Sequence, residues 1–153
     1  MKLLILTIFV LFFASCSQAQ NVSSALTFPE LISGIQTRSE GLVFISETDS
    51  DVVVWYRNRT VDSLSEAEFK RVAKIPPLAT VEIVPFDQLF TRLVDLDKTG
   101  QWLILRDYLE SNLQDYKVFR VPRPAPYERT FDVYAVGLFE NKVIGIHVVS
   151  LET

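Results

Sequence analysis

The chain contains very few of the side chains that most enzymes and metal sites require. Its 153 residues include one histidine, His147, and one cysteine, Cys16. A structural zinc site needs several nitrogen or sulfur ligands, and a nucleophilic cysteine needs a histidine beside it. The five glycines are dispersed, so the sequence has no glycine-rich loop to cradle a phosphate. The sequence therefore predicts a protein that is not an enzyme, with no cofactor and no metal of its own.

The sequence also has no surplus of positive charge. It has 15 Lys and Arg residues against 19 Asp and Glu residues, and its net charge is −4 at pH 7. Proteins that bind nucleic acid neutralise phosphates with clustered cations, so this balance argues against direct nucleic-acid binding. It is compatible with a basic protein partner. A composition of 48% hydrophobic and 22% charged residues is ordinary for a globular chain with one core.

An export signal opens the chain. A positive start precedes an uninterrupted apolar run over residues 3–14, which is too short for a comfortable membrane span, and small residues follow it. We therefore predict that residues 1–15 are a signal peptide. The stretch "FASC" resembles the bacterial lipobox, in which a peptidase cuts before a cysteine that receives lipid. The ordinary signal peptidase could instead cut after "SQA".

The lipobox interpretation is favoured because Cys16 is the only cysteine and stands where a lipid acceptor must stand. It predicts a lipidated Cys16, a polar tether over residues 16–26 and one domain over residues 27–153. We expect an exported protein of the cell envelope, anchored to a membrane as a periplasmic or surface lipoprotein. A single cysteine also excludes an internal disulfide.

Helix and strand signals alternate irregularly along the domain. Helices are predicted over residues 27–41, 66–74, 86–95 and 100–113. Strands are predicted over residues 42–46, 52–57, 80–84, 116–121, 130–139 and 142–151. Several strands are apolar on both faces, so the sheet needs a covering layer on each side. We therefore predict an α+β fold, a three-layer α-β-α sandwich around a largely antiparallel or mixed sheet.

The stretch "SETDSD" places three acidic residues, Glu47, Asp49 and Asp51, at alternate positions. Their spacing fits no calcium-binding loop, and calcium normally takes about six to eight oxygen ligands. Two interpretations stay open: a solvated turn, or an acidic edge that binds a partner. The single histidine, His147, lies in the middle of a predicted strand among apolar residues. We expect a structural or hydrogen-bonded role for it.

Three segments together resemble the nuclease A inhibitor family. The segment "SEGLVFISETDSDVVVW" is similar to the N-terminal signature of that family, in which a short apolar strand leads to Ser-Glu and to a second strand with a Trp. The segment "VEIVPFDQLFTRL" resembles its middle strand and helix. The segment "VFRVPRPAPYERTFDVYAVGLFENKVIGIHVVSLET" resembles its C-terminal half, including the Glu-Thr terminus. The resemblance covers roughly residues 28–153 and implies an α-β-α sandwich.

The resemblance also implies a function and a set of site residues. Members of the family bind a sugar-non-specific nuclease and block its metal centre with the C-terminal Thr and with a Glu that follows the first strand. The corresponding residues here are Thr153 and Glu47, and Glu152 matches the penultimate residue of the family. Thr153 is thereby expected to approach the metal of the partner.

Other acidic residues are candidates for further contacts with the partner. Asp95 and Asp97 lie where the family has a longer acidic loop, and Asp49 lies on the acidic edge that follows the first strand. The leading hypothesis is an exported, lipid-anchored inhibitor of a non-specific endonuclease. The alternative is an envelope lipoprotein that serves as an interaction module and has no nuclease target.

Overall fold

The structure is a computed structural model that describes residues 25–127 and 129–152. The helices in this part of the chain are α1 (Phe28–Ser39), α2 (Glu66–Ala73), α3 (Phe86–Leu96) and α4 (Gln101–Asn112). The strands are β1 (Val43–Phe44), β2 (Ser50–Asp51), β3 (Val53–Thr60), β4 (Glu82–Val84), β5 (Gln114–Pro122), β6 (Thr130–Phe139) and β7 (Lys142–Leu151).

Five strands form one sheet in the order β3-β7-β6-β5-β4, and every neighbouring pair is antiparallel. The remaining two strands, β1 and β2, form a small separate hairpin. A tight turn joins β6 to β7 through Glu140 and Asn141, whose φ angles are 49° and 59°. Two consecutive positive φ values match the right-handed twist of the flanking strands, which favours this turn in hairpins.

Helices cover both faces of the sheet, but unequally. The larger core lies under α1, α3 and α4 and contains Ile35, Phe90 and Leu105 together with Ile144 and Ile146 of β7. We call this side of the sheet the three-helix face. The predicted three-layer α+β sandwich is thereby confirmed, with a fully antiparallel main sheet.

The second core lies under α2, on what we call the α2 face. Phe69 of α2 stacks on Phe119 of β5, with ring centroids 3.9 Å apart and the planes 5° from parallel. Val72, Val136 and Val143 complete its centre. Because α2 has only eight residues, it covers only part of this face.

The starts of the first two helices are fixed by side chains that are close in sequence. Thr27 accepts a hydrogen bond from the Glu30 N–H, and the Glu30 carboxylate accepts one from the Thr27 N–H in return. Ser65 accepts a hydrogen bond from the Glu68 N–H at the start of α2. Each cap satisfies an N–H that the first helical turn leaves without a partner.

None of the helices in residues 25–127 and 129–152 is long and apolar enough to cross a membrane. The predicted signal peptide and the Cys16 lipidation site lie outside the described residues, as does most of the tether. Thr153 also lies outside them.

Candidate functional site at the end of strand β7

A cleft of about 580 Å³ lies on the three-helix face, at the end of the sheet where β7 finishes. The segment between β1 and β2 forms one wall, α3 forms the other, and the ends of the central strands form the floor. The lining residues are Phe44, Ile45, Ser46, Glu47, Glu82, Val84, Gln88, Leu89, Arg92, Leu93, Arg120, Val133, Ser150, Leu151 and Glu152.

The β1–β2 hairpin packs against the last part of β7, which extends beyond the end of β3. The Val149 N–H donates to the Ser50 hydroxyl at 3.1 Å, and the Leu151 N–H donates to the Ser46 hydroxyl at 3.3 Å. The Glu47 N–H donates to the Leu151 carbonyl at 3.3 Å. These bonds satisfy backbone groups that would otherwise be exposed at a strand edge. They also fix Glu47 beside the end of β7.

The opposite edge of the β7 terminus, beside β6, also forms hydrogen bonds. The Glu152 N–H donates to the Arg129 carbonyl at 3.0 Å, next to the pairing of Thr130 with Leu151. The Glu152 carboxylate accepts a hydrogen bond from Arg120 at 2.7 Å. The chain is therefore bound as far as Leu151 on the hairpin edge and as far as Glu152 on the edge beside β6. Glu47 and Glu152 line the same cleft, which places these two predicted site residues together.

Arg120 is a cleft residue that the sequence did not single out. Its guanidinium bonds to Glu82 of β4 and to Glu152 after β7, and it lies over the ring of Phe131, 4.2 Å from the centroid. The three charged residues are separated by 38 and 32 positions in the chain. Only the register of the sheet brings them together.

The remaining predicted acidic residues lie in different surroundings. Asp49 is exposed in the hairpin. Asp95 is exposed near the end of α3 and lines a shallow groove there with Arg92. Nothing in the described residues joins Asp49 or Asp95 to a bonding network, and their partner-binding role stays a prediction.

Asp97 has a clear role within the chain itself. One carboxylate oxygen accepts the Thr99 hydroxyl at 2.6 Å and the Thr99 N–H at 2.8 Å. The other oxygen accepts the Trp102 N–H at 2.8 Å, in the first turn of α4. The hydrogen bond from the Thr99 side chain, followed by those from backbone N–H groups, lowers the pKa of Asp97. Asp97 therefore organises the α3–α4 connection, and its contact with a partner stays a prediction.

His147 lies on the opposite face of the sheet from the cleft. Its Nε2 is 2.8 Å from Asp132, which also accepts two bonds from Arg123 at 3.0 and 2.6 Å. The His147 ring stacks on Tyr134 with centroids 4.6 Å apart. The only histidine is thus part of a hydrogen-bonded network, as its strand position suggested. Among the described residues, no cluster of three His, Cys, Asp or Glu side chains could hold a metal ion.

The Asp132 network makes a testable contribution to stability. Burial alone would raise the pKa of Asp132, but hydrogen bonds from His147 and Arg123 outweigh burial and lower the pKa from 3.8 to about 2. A carboxylate with a lowered pKa stabilises the fold above its unfolded pKa, and this stabilisation is lost as pH falls through the folded value. Asp132→Asn should therefore reduce the free energy of unfolding by about 2 kcal/mol at pH 7.

Urea unfolding of Asp132→Asn and the unsubstituted protein checks this expectation. The difference in unfolding free energy between the two proteins should have its largest value at pH 6 to 7. It should decrease as the pH falls from about 4 towards about 2. A difference that stays constant over that interval would contradict an ionic role for Asp132.

Together these features define an α+β sandwich protein with carboxylates beside a cleft, at one rigidly held end of its sheet. The model of the nuclease A inhibitor-like family matches residues 29–153, so the chain belongs to that family. The resemblance seen in the sequence is thereby confirmed over nearly the whole predicted domain. No curated protein sequence matches the chain closely enough to count as a relative.

Proposed function

We propose that this protein inhibits a sugar-non-specific endonuclease by inserting the end of the sheet that carries Glu47 into the metal-containing cleft of the enzyme. Membership of an inhibitor family supports a nuclease as the partner. The single observation that carries the site assignment is the bond from the Glu47 N–H to the Leu151 carbonyl, because it holds Glu47 against the end of β7.

The chemistry of the target explains why carboxylates suit this end of the sheet. A non-specific nuclease binds the phosphate backbone through cations and a metal ion, and a carboxylate can take the place of a phosphate oxygen. Glu47 is exposed at the rim of the cleft, and its carboxylate forms no ion pair within residues 25–127 and 129–152. It is therefore available to a cationic partner.

The hydrogen bonds that hold the β7 terminus favour binding. Ordering a loose chain end on binding would cost conformational entropy, which subtracts from affinity. Here hydrogen bonds with the hairpin hold one edge of the β7 backbone as far as Leu151 before any partner arrives. The bond that the Glu152 N–H donates to the Arg129 carbonyl holds the other edge. We propose that Thr153, the next residue, supplies its carboxylate and hydroxyl to the neighbourhood of the nuclease metal.

The activity itself is tested by titrating the purified chain, residues 17–153, into a magnesium-dependent, sugar-non-specific endonuclease from the same cell. Loss of nuclease activity should be complete near one equivalent, on both DNA and RNA substrates. Failure to inhibit any such nuclease would contradict the proposed function and favour the alternative, an interaction module that has no nuclease target.

We propose further that the protein catalyses no reaction of its own.

Removing Thr153 should weaken inhibition by about 10-fold or more, because the shortened chain would place its terminal carboxylate one residue away from the metal. The inhibition constant of residues 17–152 is compared with that of residues 17–153. A chain extended by one Gly after Thr153 is the matched variant, and it should also inhibit weakly. Equal inhibition by all three proteins would show that the chain terminus takes no part.

We also propose that the protein is exported and anchored to the envelope through a lipid on Cys16. The support is the sequence, with its apolar run, the "FASC" stretch and a single cysteine in the acceptor position. Metabolic labelling with radioactive palmitate should label the natural protein and leave Cys16→Ser unlabelled. Unlabelled natural protein, released in soluble form and cut after "SQA", would show that the ordinary peptidase processes it.

A further inference from the structure

We infer that Arg120 is a positioning residue for the nuclease-binding end of the sheet, and that it acts by holding Glu152 at the mouth of the cleft. This inference rests on the proposed function for its effect on inhibition. Its structural part, the restraint of Glu152 by Arg120, can be tested without a nuclease.

The side chain of Arg120 contacts residues of several strands. Arg120 belongs to β5, its guanidinium lies over Phe131 of β6, and it bonds to the Glu152 carboxylate at 2.7 Å. On its other side it bonds to Glu82 of β4. One side chain thereby connects its own strand with β4, with β6 and with the residue that follows β7.

The surroundings of Arg120 make this connection specific. Its side chain is only 21% exposed. A planar guanidinium can bond to two carboxylates and stack on an aromatic ring at the same time, which an ammonium group cannot do as well. Without the guanidinium, the Glu82 and Glu152 carboxylates would lose the cation that they share, and Glu152 would lose its ion pair.

The arrangement assigns different roles to the two glutamates beside the cleft. Glu152 is already paired with Arg120 within the chain, whereas Glu47 forms no ion pair among the described residues. Glu47 is therefore the carboxylate that a partner would contact directly. Glu152 serves to fix the end of β7 through Arg120 and through its own N–H bond to the Arg129 carbonyl.

The structural part is tested by amide hydrogen exchange, followed by NMR, in Arg120→Gln. Exchange at the Glu152 amide should become at least about 10-fold faster, while the amides of Ile144 and Ile146 in the centre of β7 keep their protection. Arg71→Gln, which removes an ion pair on α2, is the matched control and should leave the Glu152 amide unchanged. An unchanged Glu152 amide in Arg120→Gln would overturn the inference, whether or not the protein inhibits a nuclease.

The functional part is tested by a double-mutant cycle on inhibition. Arg120→Gln should weaken inhibition about 10-fold, and Arg120→Lys should recover part of that loss. In the Glu152→Gln background, Arg120→Gln should cause almost no further change, because the two residues act as one unit. Independent, additive losses, or full inhibition by Arg120→Gln, would overturn the positioning role. If the unsubstituted protein inhibits no nuclease, the proposed function fails, and the exchange experiment still decides whether Arg120 restrains Glu152.

Discussion

Glu47→Gln is expected to weaken inhibition of the nuclease on the order of 100-fold, equivalent to about 3 kcal/mol of binding free energy. The substitution keeps the size of the side chain and removes the charge that faces the cationic site of the partner. Glu47 is exposed, and its bond to β7 uses its backbone N–H, so the fold should be unaffected. Inhibition constants measured by titration against the nuclease give the comparison.

A matched control for this experiment lies at the opposite end of the sheet. Glu140 is exposed in the β6–β7 turn, and β7 is long enough to separate the two ends by about 30 Å. Glu140→Gln makes the same chemical change and should inhibit within about two-fold of the natural protein. If Glu47→Gln inhibits as well as Glu140→Gln does, the cleft end of the sheet is not where the nuclease binds.

Phe69→Ala should produce the largest loss of stability, about 3–5 kcal/mol. Phe69 is fully buried under α2 and stacks on Phe119, and removing its ring leaves a cavity that the single covering helix cannot close. Urea or thermal unfolding measures the loss. Leu78→Ala is the control, because the Leu78 side chain is 99% exposed.

The same substitution separates stability from binding. Phe69 lies on the α2 face, away from the cleft on the three-helix face, so the folded fraction of Phe69→Ala should inhibit the nuclease normally. A loss below about 1 kcal/mol would show that α2 contributes little to the second core. Weakened inhibition by fully folded Phe69→Ala would show that the α2 face takes part in binding.

The architecture was predictable wherever neighbouring residues decide the local structure. Thr27 with Glu30 fixes the start of α1, Ser65 fixes the start of α2, and Glu140 with Asn141 forms the tight turn between β6 and β7. These signals act over two or three residues, and a sequence displays them directly. The apolar character of both faces of β7 likewise predicted the covering layers that the structure contains.

The details of the site depend on long-range register, which the sequence does not display. The strand predicted over residues 42–46 contains only Val43–Phe44 as strand, and the following segment turns to bind the edge of β7 through Ser46 and Ser50. Small hydroxyl residues in a loop gave no sign of this contact. Arg120 was missed for the same reason, because its carboxylate partners are 32 and 38 residues away.

Acidic character alone does not show whether a carboxylate is already hydrogen-bonded within the chain. The charge and loop position of Asp97 make it a candidate for partner binding, and both of its carboxylate oxygens accept hydrogen bonds at the start of α4. The signal was present in the sequence, since Asp followed two residues later by Thr commonly closes such a turn. Glu47 differs because only its backbone is engaged, which leaves the carboxylate exposed.

Amide chemical-shift mapping shows which end of the sheet contacts the nuclease. The ¹⁵N-labelled domain is titrated with the magnesium-loaded nuclease, and the perturbed amides are placed on the structure. We expect changes around Glu47, Arg92, Arg120 and Glu152 at the cleft end, and none around the Glu140–Asn141 turn. Perturbations centred on that turn, with the cleft end unchanged, would show that the nuclease does not bind at the cleft end.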